Sequence, residues 1–214
     1  MGRNLLAALA LACLGTGATA GEITIAALGD SLTQGYGLPP EEGFVPQLEA
    51  WLEGQGEEVA MINAGVSGDT SAGGLARVGW TLTPEVDAMI VALGGNDLLR
   101  GLDPAQTRAN IEGILQQAAE RDLPVMLVGL LAPSNYGPEY KAEFDALYPD
   151  LAETYGAVYV PSFLGALGSG LAEVQPLMQS DGIHPNANGV ARNVADLGPS
   201  VQVLIDRADS TPTQ

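Results

Sequence analysis

Five short apolar runs, separated by stretches of helical spacing, constrain the fold of this chain more than any other feature. They lie at 23–28 (ITIAAL), 58–62 (EVAMI), 87–93 (DAMIVAL), 124–130 (PVMLVGL) and 157–160 (AVYV). Their apolar stretches are nearly continuous, as expected of parallel strands that are covered on both faces. Helices are expected between them, near 44–54, 71–79, 104–121, 139–154 and 187–206. The clearest is 104–121, where Asp103 can cap, Pro104 takes the first helical position, and Ile111, Ile114, Leu115 and Ala118 recur at helical spacing. Strand–helix alternation of this kind implies one α/β domain: a five-stranded parallel sheet in a flavodoxin-like order, with helices on both faces as a three-layer sandwich.

The first twenty residues stand apart from this pattern. Arg3 is followed by an apolar run from Leu5 to Leu14 and the small triplet Ala18-Thr19-Ala20. Such a segment reads as a cleavable secretory signal, cut after Ala20, and is too short to span a bilayer. The chain is therefore expected to be periplasmic or secreted, with a catalytic or binding domain over 21–208 and a disordered polar tail over 209–214. Cys13, the single cysteine, offers a lipoprotein alternative, but it lacks a Leu three positions upstream. Its removal with the leader would leave no thiol or disulfide chemistry.

Charge excludes several classes of partner. Removing the leader leaves seven basic against 26 acidic residues, a net charge of −19. A chain of that sign repels phosphate backbones and anionic lipid surfaces. Nucleic-acid binding and a stable membrane anchor are not expected, and no obligate protein partner is evident. The acids form no dense Asp-x-Asp cluster of calcium-loop type, so no metal and no cofactor are expected.

In a parallel α/β sheet, ligands bind beyond the carboxyl ends of the strands. The segments that follow the first three strands are GDSLTQG (29–35), NAGVSGDT (63–70) and GGNDLLRG (94–101), and DGIHPN (181–186) precedes the last helix. All are rich in Gly and small polar residues. His184 is the only histidine, so a Ser–His mechanism has one available base. A lone histidine is more often an ordinary packed or surface residue, but Asp181 lies three residues upstream in a turn-forming stretch. It can hold one ring nitrogen while the other faces a nucleophile. Ser31, between a buried strand and a Gly-containing loop, is expected at a strand-to-helix transition with its hydroxyl exposed, although G-x-S-x-G itself is absent. A helix-capping role for Ser31 is compatible with catalysis.

GDSLTQGYG, Gly68 within SGDTS, GGNDLLRG and DGIHPN resemble the four blocks of the SGNH (GDSL) hydrolase family, in the family order and across the mature chain, with no departure at the motif positions. The wording between them is similar to the periplasmic arylesterase, acyl-CoA thioesterase and lysophospholipase subgroup. The resemblance implies an ester or thioester hydrolase with Ser31 as nucleophile, Asp181 and His184 completing a triad, and an oxyanion hole from Ser31, Gly68 and Asn96. Physical chemistry fits these roles: neutral amide donors favour a charge present only in the tetrahedral intermediate. Gly at 68 is expected to let the backbone approach, where a Cβ would intrude. Asp30, Asp69 and Asp97 are expected to accept from loop amides and cap the following helices. Tyr36, Leu98, Leu131, Tyr136, Met178 and Ile183 are candidates for lining an acyl groove. The alternatives are a carbohydrate acetylesterase of the same family, disfavoured by only two Trp, and a noncatalytic flavodoxin-like binding protein, for which no nucleotide fingerprint is visible.

Overall fold

The computed structural model of the protein describes residues 21–210. Five parallel strands, β1 (Ile23–Gly29), β2 (Val59–Gly65), β3 (Ala88–Ala92), β4 (Val125–Val128) and β5 (Val158–Val160), form one sheet in the order β2-β1-β3-β4-β5. This is the flavodoxin-like order expected from the sequence. The chain-order helices are α1 (Ser31–Gln34), α2 (Phe44–Gln55), α3 (Ser71–Thr81), α4 (Gly95–Leu99), α5 (Pro104–Ala119), α6 (Pro138–Tyr155), α7 (Leu171–Val174) and α8 (Ala187–Asp209). The five long helices fall where helical spacing placed them; α1 was expected only as a strand-to-helix transition at Ser31, and α4 and α7 were given no range in advance. The last helix runs on to Asp209, into the segment expected to be a polar tail. The expected leader over 1–20 and the end of that tail, 211–214, lie outside the described residues.

The continuous apolar runs conceal a period of two. Along β1, Ile25 and Ala27 face one core with Phe44, Leu48 and Leu52 of α2 and Val194, Leu197 and Leu204 of α8. Ala26 and Leu28 face the other, with Val78 of α3, Ile111 and Ile114 of α5, and Phe144 and Leu147 of α6. Both faces need apolar residues, so polarity carries no alternation and the strands read as solid apolar segments. Edge strand β2 is the exception, with only Val59 fully buried. In α5 the expected start is observed: the Asp103 carboxylate accepts from the Ala105 amide at 2.9 Å, and Pro104 opens the helix.

The sheet hands its central strands to the site through tight turns. β1 pairs with β2 and β3 up to Gly29, opposite Gly65 and Ala92, so the three strands end level with one another. Arg77 on α3 ties two of these ends, its guanidinium donating to the Ala64 carbonyl at 2.7 Å and the Gly29 carbonyl at 2.8 Å. After β3, Gly94 turns the chain into α4 with φ of +114°, and a Cβ there would lie 2.1 Å from the hydroxyl of buried Tyr148. That hydroxyl donates to the Leu93 carbonyl at 3.0 Å. Gly94→Ala is therefore expected to cost about 2 kcal/mol or more, from backbone strain and the collision. Thermal unfolding should show a midpoint lower by about 4 °C or more. Adding Tyr148→Phe, which removes the colliding atom, should recover part of that loss.

Candidate active site

Ser31 is the first residue of α1, two residues beyond the end of β1. Asp30 caps that turn, its carboxylate accepting from the Leu32 amide at 3.0 Å. The Ser31 carbonyl takes the amides of Gly35 and Tyr36, which curls the backbone and leaves the serine side chain half-exposed at the carboxyl edge of the sheet. From the other end of the chain, His184 reaches the same point: its Nε2 lies 2.8 Å from Ser31 Oγ. Its Nδ1 lies 2.6 Å from Asp181 Oδ2.

The Asp181–His184 turn is built locally. Gly182 takes φ of +67°, and the second Asp181 oxygen accepts the amides of Ile183 at 2.9 Å and His184 at 3.0 Å. The ring bond from His184, helped by those two amides, lowers the Asp181 carboxyl to about 2. It stays ionised across the neutral range and can offset positive charge on the imidazole. Gln179 anchors the turn to its surroundings. Its amide donates to the His184 carbonyl at 2.8 Å, and its side chain donates to the carbonyls of Tyr36 at 2.8 Å and Pro185 at 3.0 Å. The sequence reading missed Gln179, because nothing local marks a residue whose partner is 143 positions away.

Gly68 and Asn96 come from the turns after β2 and β3. At Gly68 the reason for glycine differs from the expected close approach: a Cβ would meet nothing in the protein within 4 Å, but φ is +84°, which L side chains rarely adopt. The Gly68 carbonyl accepts from Arg100 at 2.8 Å, tying this turn to the end of α4. Asn96 sits on α4, its side-chain NH₂ donating to the Asp69 carbonyl at 2.9 Å and to Asp30 Oδ2 at 3.3 Å.

The three neighbouring acids are structural in different ways. Asp30 caps the helix that follows it, as expected. Asp69 does not: Thr70 caps α3, while the Asp69 carboxylate pairs with Arg77 at 2.7 Å. Asp97 supports an earlier helix, accepting from the Ser71 amide at 2.8 Å, the Ser71 hydroxyl at 2.5 Å and the Thr107 hydroxyl at 3.2 Å. The six candidate groove residues divide between loops. The Tyr36 ring is centred 4.6 Å from the His184 ring, Ile183 precedes that histidine, and Met178 bridges to Pro185. Leu98 packs partly on the core below α3, α5 and α6, the Tyr136 hydroxyl donates to the Leu98 carbonyl at 2.7 Å, and Leu131 is exposed. Among the described residues no three His, Cys, Asp or Glu side chains are grouped to hold a metal ion.

Such an arrangement, a hydroxyl bonded to an imidazole that is bonded to an ionised carboxylate, is that of a serine-dependent acyl hydrolase. Comparison with known proteins agrees. The chain matches the GDSL-like Lipase/Acylhydrolase family over residues 27–192 and belongs to it. It is 39% identical over 183 residues to Esterase TesA of Pseudomonas aeruginosa, covering 85% of this chain and 89% of that one. Thioesterase 1/protease 1/lysophospholipase L1 of Escherichia coli is 36% identical over 166 residues, 76% of each chain. The crystal structure of the esterase EstA from Pseudoalteromonas sp., inhibited by monoethylphosphonate, superposes with a TM-score of 0.78 at 29% identity, covering 86% of this chain and all of that one. The protein is accordingly a hydrolase of the ester and thioester class that acts on small-molecule esters.

The site's buried acid generates a pH prediction. Asp30 is only 4% exposed, and burial pushes its carboxyl up to about 6, against the opposing pull of the Leu32 amide, His184 and the Asn96 amide. Because this lies above the ordinary carboxylate value of 3.8, the folded chain binds the proton more tightly than the unfolded chain. Its stabilising contribution is full below about 3.8 and lost as pH rises through about 6. Chemical denaturation at pH 4.5 and 6.5 should therefore show Asp30→Asn lacking part of the wild-type decline with rising pH. Parallel slopes in the two proteins would contradict the assignment.

Proposed function

We propose that this protein is an exported serine esterase that hydrolyses acyl esters and thioesters through an acyl-enzyme on Ser31. The observation that carries the reading is the continuous contact from Ser31 Oγ through both ring nitrogens of His184 to Asp181, at 2.8 and 2.6 Å. His184 Nε2 takes the hydroxyl proton as Ser31 Oγ attacks the substrate carbonyl. Asp181 accepts from Nδ1 and stabilises the imidazolium. The imidazolium then protonates the leaving alcohol or thiol, and water, deprotonated by the same nitrogen, releases the acid and regenerates Ser31. No step draws on a cofactor or metal.

The tetrahedral oxygen is bound by the amides of Ser31 and Gly68 and by the side chain of Asn96. In the free enzyme both hydrogens of the Asn96 NH₂ have acceptors, Asp69 carbonyl at 2.9 Å and Asp30 at 3.3 Å. The longer bond is the weaker, so the hydrogen now facing Asp30 is the one redirected to the oxyanion. That exchange is favourable only once the oxygen carries charge, which makes the interaction selective for the transition state.

The names of the relatives favour three leaving groups: an aryl alcohol, a thiol, and the glycerol hydroxyl of a lysophospholipid. The leader over 1–20, cut after Ala20, directs the enzyme to the periplasm or the medium, where neutral and zwitterionic esters suit its charge. Tyr36, Met178 and Ile183, from the loops that carry Ser31 and His184, and Leu98, Leu131 and Tyr136, from the segments after β3 and β4, contact the acyl chain.

Purified protein should hydrolyse p-nitrophenyl butyrate, and Ser31→Ala should abolish that activity while leaving the thermal midpoint intact. An inactive wild type, or an active Ser31→Ala, would remove the proposal. Asn96→Ala should lower kcat by roughly 10²–10³-fold with a much smaller change in KM. A large rise in KM with kcat retained would instead assign Asn96 to holding the turn after β3.

A further inference from the structure

A serine–histidine mechanism places a positive charge on His184 twice in each cycle, once as the acyl-enzyme forms and once as water releases it. Both ring nitrogens are engaged in the plane of the ring, Nε2 toward Ser31 Oγ at 2.8 Å and Nδ1 with Asp181 at 2.6 Å. Further stabilisation of that charge has to reach the imidazole through its faces or its carbon edges. Tyr36 does so: its ring is centred 4.6 Å from the His184 ring and tilted by 39° to it. Two rings at that separation cannot lie edge to edge, so each turns part of its face to the other.

The tyrosine is held in place by its own backbone. Its amide donates to the Ser31 carbonyl at 3.1 Å, and its carbonyl accepts from the Gln179 side chain at 2.8 Å. Gln179 also donates its backbone amide to the His184 carbonyl at 2.8 Å, so one residue sets the spacing between the two that carry the rings. A Cβ on Gly37 would collide with Gln179 Oε1, and glycine there lets this clamp close. The Asp181 side chain is 36% exposed and that of His184 only 15%. Water therefore screens part of the pull from the carboxylate, which leaves room for a second group to stabilise the imidazolium.

We propose that Tyr36 is a positioning residue of the reaction, whose ring face holds the His184 imidazole toward Ser31 and stabilises the imidazolium that forms in each half of the cycle. The inference rests on the acyl-enzyme reading and deepens it. An aromatic face attracts a cation within about 6 Å of its centre, because the π-electrons make that face negative. The neutral imidazole of the free enzyme gains less from the same contact, so the attraction is greater in the transition state than in the ground state and lowers the barrier. Imidazolium forms in acylation and deacylation alike, so the effect falls on kcat whichever step limits turnover. Contact between Tyr36 and the acyl chain is a separate role, which acts on KM and grows with chain length.

The test varies the charge of the ring face while keeping its shape. With p-nitrophenyl acetate, whose acyl group is too short to draw on a groove, Tyr36→Leu should lower kcat about three- to tenfold, with KM within about twofold and the thermal midpoint retained. Tyr36→Phe keeps the ring and should restore most of the rate. Pentafluorophenylalanine introduced at position 36 has nearly the shape of phenylalanine but an electron-poor face, and should be as slow as Tyr36→Leu. The two ring variants differ in charge distribution and hardly in packing, so their comparison stands even if Tyr36→Leu fails to fold. The proposal is overturned if the fluorinated ring supports the same kcat as Tyr36→Phe, which would leave the ring a packing role. It is overturned too if the loss appears only as a rise in KM that grows from the acetate to the decanoate ester, which would leave the ring a wall for the acyl chain. An inactive wild type, or an active Ser31→Ala, removes the acyl-enzyme and this inference together, whereas an enzyme that depends on Ser31 and is indifferent to the fluorinated ring loses only the role of Tyr36.

Discussion

The bonds that join Asp181, His184 and Ser31 connect positions 153 residues apart in the chain, and the turns at both ends of that span hold the three side chains together. One end is held by the strand register: β1 stops level with β2 and β3, and the chain turns at once into α1, which begins with Ser31. The other end has no strand to hold it. The Asp181 turn is fastened instead by its own two amide bonds, by Gln179 spanning to Tyr36 and Pro185, and by Asn186, whose side chain donates to the Pro176 and Met178 carbonyls and caps α8. Because Gln179 contacts the Tyr36 carbonyl on the serine's own loop, the two ends are linked by a route that bypasses the reacting groups.

The distribution of acids follows from the same geometry. Most of the 26 Asp and Glu serve as solvated surface charge, but Asp30 and Asp97 are buried next to the turns of the site. Burial of a carboxylate is unfavourable unless its oxygens are bonded. Asp97 meets that condition with three donors from α3 and α5 and so joins the β3 turn to both helices. Asp30 meets it less fully, with the Leu32 amide and a long contact from Asn96, and its raised carboxyl range reflects this. A negative group behind a proposed oxyanion donor opposes the charge that forms there. Its compensation is orientation, since its bond fixes which end of the Asn96 amide carries the donors.

Much of this was legible in the sequence because the signals were local. Strand order followed from apolar runs alternating with helices, and the four Gly-rich segments lay where parallel topology brings loops together. A single histidine with an aspartate three residues before it left one pairing to consider, and the structure brings Ser31 to it. The illegible features depend on long-range partners. Asp69 and Asp97 look alike beside their motifs, yet one pairs with Arg77 and the other reaches back to Ser71 across 26 residues. Helices of four or five residues such as α1 and α4 are too short to show periodicity, so the position of Asn96 within a first turn was not foreseen, whereas the strand-to-helix transition at Ser31 was. At Gly68 the sequence showed that glycine was required and suggested space as the reason; the backbone angle supplies the actual one.

The central claim is that Ser31 alone combines an imidazole base with a site for a developing oxyanion. Treatment of the protein with a fluorophosphonate, followed by peptide mass mapping, tests this directly. The account predicts one adduct, on Ser31, formed at a rate that falls sharply in His184→Ala while the fold is retained. An adduct on any other residue, or equally rapid labelling of Ser31 without His184, would contradict it.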